Sequence, residues 1–252
     1  MSARSPGDEA FGRALEHAHG VEGWMTDSQA LRLWRAARSV ASGQIVEIGS
    51  FRGRSTAILA LAAQPGVGVV AIDPHGGGDR GPQEITPDAI RGDADFDRFH
   101  ANLRAAGVDD RVRHIRRPSS QALSEVDGPV TLLYVDGAHR YRPALDDLRG
   151  WGERVAPGGT MLIHDSFNAV GVMLAQLRLL VASDRWRYVG RSGSLAEYEC
   201  VRLSARGRAL NAARQLASLP YFARNMAIKL LIVARMTPLT RLLGHGDEPW
   251  PY

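Results

Sequence analysis

Ile45-Val-Glu-Ile-Gly-Ser-Phe-Arg-Gly-Arg-Ser55 decides the fold, because an apolar run passes through an acid to a glycine and then opens into a helix-forming segment. That is a strand feeding a ligand-binding turn. Gly49 and Gly53 remove Cβ atoms where the chain must bend and where a ligand approaches the backbone. A helix starting near Ser55 presents unpaired N–H groups. The spacing Gly49-x-x-x-Gly53 departs from the dinucleotide fingerprint, and Glu47 at the mouth would repel a pyrophosphate. A cationic or zwitterionic nucleoside fits better.

Further on, Val69-Val-Ala-Ile-Asp73 is a second strand ending in a carboxylate, placed to accept both hydroxyls of a ribose. Together the two strands read as a site for S-adenosylmethionine. Around them, strand-like and helical patterns alternate, the signature of a parallel sheet covered by helices on both faces. The spacing predicts a leading helix over 26–42, capped by Thr26 or Asp27. It continues with strand 44–49, helix 54–63, strand 67–73, helix 94–106, strand 111–116, a short helix 119–125, strand 130–136, helix 141–154, strand 159–165 and helix 168–183. Gly107 reads as a helix stop, and Pro157-Gly-Gly159 as a tight turn into the fifth strand. Residues 186–191 and 196–203, joined by Ser192-Gly-Ser194, read as a closing hairpin. The expected architecture is α/β and Rossmann-like: a seven-stranded sheet with helices on both faces, plus a C-terminal helical tail. It divides into a helical lead-in (1–43), a cofactor-binding domain (44–203) and a basic amphipathic helical tail (204–252).

The 252 residues suit one substantial core. Cys200 is the only cysteine, which excludes a disulfide framework and predicts a buried strand thiol. No run of 18 apolar residues occurs and the N-terminus lacks an apolar leader, so a cytoplasmic protein is expected. Charge is uneven. Residues 1–200 carry 23 Arg against 25 Asp and Glu, whereas residues 201–246 carry seven Arg and Lys229 with no acid. The body is therefore no polyanion binder, and nucleic acid is not an expected partner. The tail pairs its cations with Leu210, Leu216, Phe222, Met226, Ile228, Leu230, Leu231, Ile232 and Val233 over 207–219 and 221–236. Such pieces suit either the headgroup region of the inner membrane face or packing on the body or across a dimer.

Two more strand ends carry chemistry. Thr131-Leu-Leu-Tyr-Val-Asp136 runs into Gly-Ala-His139, and Thr160-Met-Leu-Ile-His164 into Asp165. In an open parallel sheet these ends face the same crevice as Gly49 and Asp73. Asp136, Asp165 and His164 can hold a divalent cation, magnesium or, with an imidazole ligand, manganese. A cation bound to two neighbouring sugar hydroxyls lowers the pKa of one. His139 would take the proton. His75-Gly-Gly-Gly-Asp-Arg-Gly-Pro-Gln-Glu84 reads as a lid or a surface loop.

Val46–Ser55, Ala71–Pro74, Tyr134-Val-Asp-Gly-Ala-His-Arg-Tyr141 and Gly158-Gly-Thr-Met-Leu-Ile-His-Asp165 resemble a family of class I methyltransferases that includes the metal-dependent sugar O-methyltransferases of macrolide and rhamnose chemistry. The resemblance covers roughly 20–203. It implies magnesium at Asp136, a base at His139 and an acidic pair at the end of the fifth strand, where this chain has His164-Asp165. It also implies that Glu47, Gly49, Ser50 and Asp73 hold the methionine and ribose parts of S-adenosylmethionine, with Ser119 and Ser120 near the adenine. Arg52, Arg54, Arg140 and Arg142 are within reach of an acidic or glycan substrate. The expected activity is O-methylation of a saccharide or other small-molecule acceptor by a homodimer. The alternatives are a catechol or polyketide hydroxyl, and a non-catalytic relative that binds the cofactor.

Overall fold

The computed structural model describes residues 6–78 and 86–246. Most of the 75–84 loop lies outside the described residues. Seven strands are present: β1 (Gln44–Ile48), β2 (Gly68–Ile72), β3 (Val112–Ile115), β4 (Val130–Val135), β5 (Val155–Ile163), β6 (Trp186–Ser192) and β7 (Leu195–Cys200). They form one sheet in the order β3-β2-β1-β4-β5-β7-β6. β1 to β5 pair in parallel, and β7 runs antiparallel between β5 and β6. The strand order reverses between β1 and β4, which is where such sheets open a crevice.

Alternation along β1 assigns the two faces, since successive side chains point to opposite sides. Ile45 joins Leu33, Trp34, Ile58, Leu59, Phe99 and Leu103. These belong to α2 (Asp27–Ser39), α3 (Arg54–Ala62) and α4 (Ala89–Ala105), with α1 (Pro6–His19) alongside. Val46 and Ile48 face the other cluster, with Ala122, Leu148, Trp151, Val172 and Met173. These come from α5 (Ser119–Ala122), α6 (Tyr141–Arg154) and α7 (Val170–Leu179). Burying both faces requires the near-continuous Val/Ile/Leu runs of the parallel strands.

Local signals hold where the chemistry is local. Thr26 caps α2 in a reciprocal box with Gln29. Gly107 ends α4 at φ 69°, with its own N–H on Arg104 and that of Val108 on Leu103, the paired closure of a left-handed helix stop. Cys200 is buried in β7. Two expectations need correction. Pro157-Gly158-Gly159 is a bulge inside β5 rather than a turn before it: Val130 pairs with Val155 but Leu132 with Thr160, so β4 holds both ends of the excursion in register. α4 starts at Ala89 because Asp88 caps it, accepting from the Arg91 N–H. α1 lies within the helical lead-in, and its Ala14 and Ala18 pack into the core.

The tail forms α8 (Ala205–Leu216), α9 (Leu219–Val233) and a 3-10 turn over Thr237–Leu243. α9 docks on the body. Ile228 and Asn225 are buried, and Leu219, Tyr221 and Phe222 pack against the α6/α7 core.

Candidate active site

The carboxyl ends of β1, β2, β4 and β5 converge. A Cβ on Gly49 would lie 2.2 Å from the Asp136 carbonyl oxygen, and the φ of 82° also excludes other residues at low strain. Gly49 thus lets the β1 and β4 ends meet, and the Asp136 N–H closes on the Ile48 carbonyl at 2.8 Å. Among the described residues five non-glycines have positive φ, and four of them, Phe51, His75, Asp165 and Phe167, stand just past β1, β2 and β5. Backbone strain concentrated this way marks a functional crevice.

Asp73 accepts from the backbone N–H groups of Ser50 (3.0 Å), Phe51 (2.8 Å) and His75 (2.7 Å). A carboxylate has about four acceptor sites, so this one organises the turn after β1 and keeps acceptor capacity for a further donor. Glu47 is turned inward. Both its oxygens accept from hydroxyls of Ser55 and Thr56 in the first turn of α3, and burial pushes its pKa up to about 8, against those hydrogen bonds and with help from the charges of Asp136 and Asp73. Ser119 donates to Asp147 of α6, and Ser120 is exposed. Burial raises Asp147 to about 6 despite the Ser119 hydrogen bond. Arg52 pairs with Asp95 and Glu22, and Arg54 bonds the Gly23 carbonyl, so both brace the scaffold.

At the β4 and β5 ends, His139 Nε2 lies 2.8 Å from Asp165 Oδ2, and His164 Nδ1 lies 3.1 Å from Asp136 Oδ1 and 3.6 Å from Asp165 Oδ2. The His139 side chain is 42% exposed and that of His164 4%. Burial disfavours charge on both imidazoles. The carboxylates of Asp165 and Asp136 outweigh it, holding His139 above its ordinary value and His164 well above. Burial would raise Asp165, but the two histidines hold it well below the usual range. Tyr134 donates to Asp136 at 2.9 Å, and Asn168 to Asp165 at 2.8 Å.

Donor atoms of Asp136, His139 and Asp165 lie within 4.8 Å of one another. Neither ring nitrogen of the buried His164 has an aligned hydrogen-bond partner among the described residues. Two hard oxygens with one or two imidazoles fit a divalent cation that accepts nitrogen, such as manganese, better than an oxygen-only magnesium site. Four residues here carried no decisive sequence signal. Tyr134 looks like strand core, Asn168 like loop, Gly171, packed against the His139 carbonyl, like helix filler, and Lys229, which donates to the Asn168 carbonyl, belongs to the tail. Each acts through a contact that folding alone creates.

A seven-stranded sheet of this order, parallel but for β7 and covered by helices on both faces, has the Rossmann-like architecture of the class I methyltransferases. Residues 46–166, a little under half of the chain, match the family model described as a methyltransferase domain. Solved structures share the fold at low identity. One titled a putative O-methyltransferase from Klebsiella pneumoniae is 19% identical, with a TM-score of 0.57 over 80% of this chain and 92% of that one. The O-methyltransferase TomG from Streptomyces achromogenes, solved with S-adenosylmethionine, is 21% identical, TM-score 0.53, over 77% and 90%. The O-methyltransferase from Bacillus cereus, solved with S-adenosylhomocysteine, is 16% identical, TM-score 0.54, over 80% and 93%.

Proposed function

We propose that this protein transfers a methyl group from S-adenosylmethionine to a hydroxyl of a saccharide-containing acceptor, with a divalent cation assisting. The observation that carries the reading is the Asp136–His139–Asp165 cluster, set across the sheet reversal from the Gly49 turn. The O-methyltransferases solved with S-adenosylmethionine or its demethylated product support both the donor and transfer to oxygen.

Asp136 and Asp165, with the imidazole of His164, would hold the cation, which when bound supplies Lewis acidity to neighbouring acceptor hydroxyls. S-adenosylmethionine supplies the methyl group. Asp73 and the Ser50 turn orient the nucleoside, and Gly49 lets the β1 and β4 ends close up beside it. His139 takes the hydroxyl proton on its ring as the oxygen–methyl bond forms and the sulfur–methyl bond breaks, leaving a neutral thioether. Asp165, beside His139, stabilises the imidazolium. Much of the acceleration comes from alignment and exclusion of water.

A second reading is a planar aromatic or polyketide hydroxyl. Trp24, 47% exposed, stacks on Phe51 with ring centroids 5.6 Å apart, beside the cofactor turn. Incubating the protein with methyl-labelled donor, Mn²⁺ and separate panels of saccharides and phenols decides between them. Label in saccharides that disappears with excess chelator is the expected result. Label only in phenols favours the second reading, and no transfer to either under any metal condition overturns both.

A further inference from the structure

The tail has two faces of opposite character. Asn211 and Gln215 of α8, and Asn225 and Ile228 of α9, are buried. Asn225 donates to the Phe167 carbonyl at 3.4 Å and Lys229 to that of Asn168 at 2.7 Å. The inner face is thus occupied by the body. Away from it, Leu230, Val233 and Leu242 are 70%, 72% and 83% exposed, with Met236 and Leu239 also exposed between them. These five recur at every third residue from the end of α9 through the 3-10 turn. Arg224 ties that turn to α9 by donating to the carbonyls of Leu243 (2.6 Å) and Gly244 (2.9 Å). Leu210 and Leu216 of α8 are exposed as well. So are Arg202, Arg206, Arg208, Arg214 and Arg235, and no acid lies anywhere in residues 201–246.

That pairing selects among occupants. A symmetric contact with a second copy would bring together two faces to which residues 201–246 contribute cations and no acid. A nucleic acid would satisfy the arginines, but nothing in a phosphate backbone rewards protruding leucines. An anionic bilayer takes both, with apolar side chains entering the acyl boundary and arginines meeting headgroups. We propose that α8, α9 and the following turn lay this face on an anionic membrane surface. Ala205–Val233 is long and apolar enough to cross a membrane by length and composition, but it is broken between α8 and α9. Crossing would strip Asn211, Gln215 and Asn225 of their partners and draw arginines into hydrocarbon. Lying flat keeps every inner contact.

Co-sedimentation of the full chain with phosphatidylcholine vesicles, with and without phosphatidylglycerol, tests this. The expected result is pelleting only with phosphatidylglycerol, weakening on the order of tenfold as salt screens the headgroups. Leu230→Asp/Val233→Asp/Leu242→Asp, at exposed positions that leave the fold intact as checked by thermal melting, should weaken binding on the order of tenfold or more. Arg206→Gln/Arg208→Gln/Arg214→Gln should weaken it roughly fivefold per cation removed. Failure to pellet, equal pelleting on both vesicles, or undiminished binding of the leucine variant overturns the proposal. So does a dimer, seen without vesicles, that the leucine variant loses, which would make the face an interface between copies. Tight retention of random RNA by the leucine variant, with vesicle binding abolished by that RNA in the parent, would assign the face to nucleic acid instead.

Discussion

Lys229, the only lysine of the chain, donates a 2.7 Å hydrogen bond to the main-chain carbonyl of Asn168, whose own side chain donates to Asp165. The tail therefore braces the left-handed turn on which the candidate metal ligand stands. Burial lowers the Lys229 pKa while Asp165 opposes that shift. Lys229→Met should cost about 1.5–3 kcal/mol, as expected for a hydrogen bond from a charged donor. It should also weaken Mn²⁺ binding, whereas Lys229→Arg retains most of both. Denaturant unfolding and metal titration read the two effects. A methionine variant with parental metal affinity would confine Lys229 to stability.

Asp136→Asn and Asp165→Asn test the cation site directly. Asparagine tolerates the φ of 52° at position 165, so the turn survives the exchange. Each substitution should reduce Mn²⁺ affinity by about tenfold or more, followed by the free-ion paramagnetic signal. Parental affinity in both variants would place any cation elsewhere.

His139→Ala should lower the rate of methyl transfer by about 10²–10⁴-fold with donor affinity unchanged. Single-turnover measurements and calorimetry separate the two quantities. Near-normal turnover would remove His139 from the proton path.

Gly171, in the first turn of α7, lets the His139 loop lie against that helix. A Cβ there would fall 2.2 Å from the His139 carbonyl oxygen and 2.6 Å from the Tyr141 nitrogen. Alanine ordinarily favours a helix by about 1 kcal/mol over glycine. Here the backbone must shift, and Gly171→Ala should destabilise by about 1–3 kcal/mol net and slow transfer without loss of donor affinity. A more stable, fully active variant would show that the loop yields freely.

Glu47 predicts a pH dependence. Its pKa of about 8 in the fold lies above the ordinary 4.5, so folding favours the protonated form. The stability it contributes is complete below 4.5 and falls by about 1.4 kcal/mol per pH unit until it levels off above 8. Cofactor-free Glu47→Gln should therefore melt above the parent at pH 8 and close to it at pH 4.5. If a cationic cofactor draws Glu47 into its ionised form, binding near neutrality releases a proton. Calorimetry in buffers of different ionisation enthalpy detects it, and heats independent of buffer would separate Glu47 from the ligand.

What the sequence determined by itself rests on signals only a few residues long. Val/Ile-rich runs ending in Glu47-x-Gly49, Asp73, Asp136 and Asp165 set the parallel strands and the edge that carries chemistry. Thr26 with Gln29, and Gly107, set helix ends through bonds to their own neighbours, and the closing hairpin follows from the Gly193 turn. Only the tertiary structure decided the rest, because the partners lie far apart along the chain. The 2.8 Å approach of His139 to Asp165, the 3.1 Å approach of His164 to Asp136 and the support of Asp165 from Lys229, 64 residues later in sequence, require β4, β5 and α9 to be packed first. Glu47 turns toward Ser55 and Thr56 because a carboxylate buried under α3 must find donors where the packed helix provides them. The Pro157–Gly159 bulge has the same origin: a strand's register belongs to its neighbour as much as to its own residues.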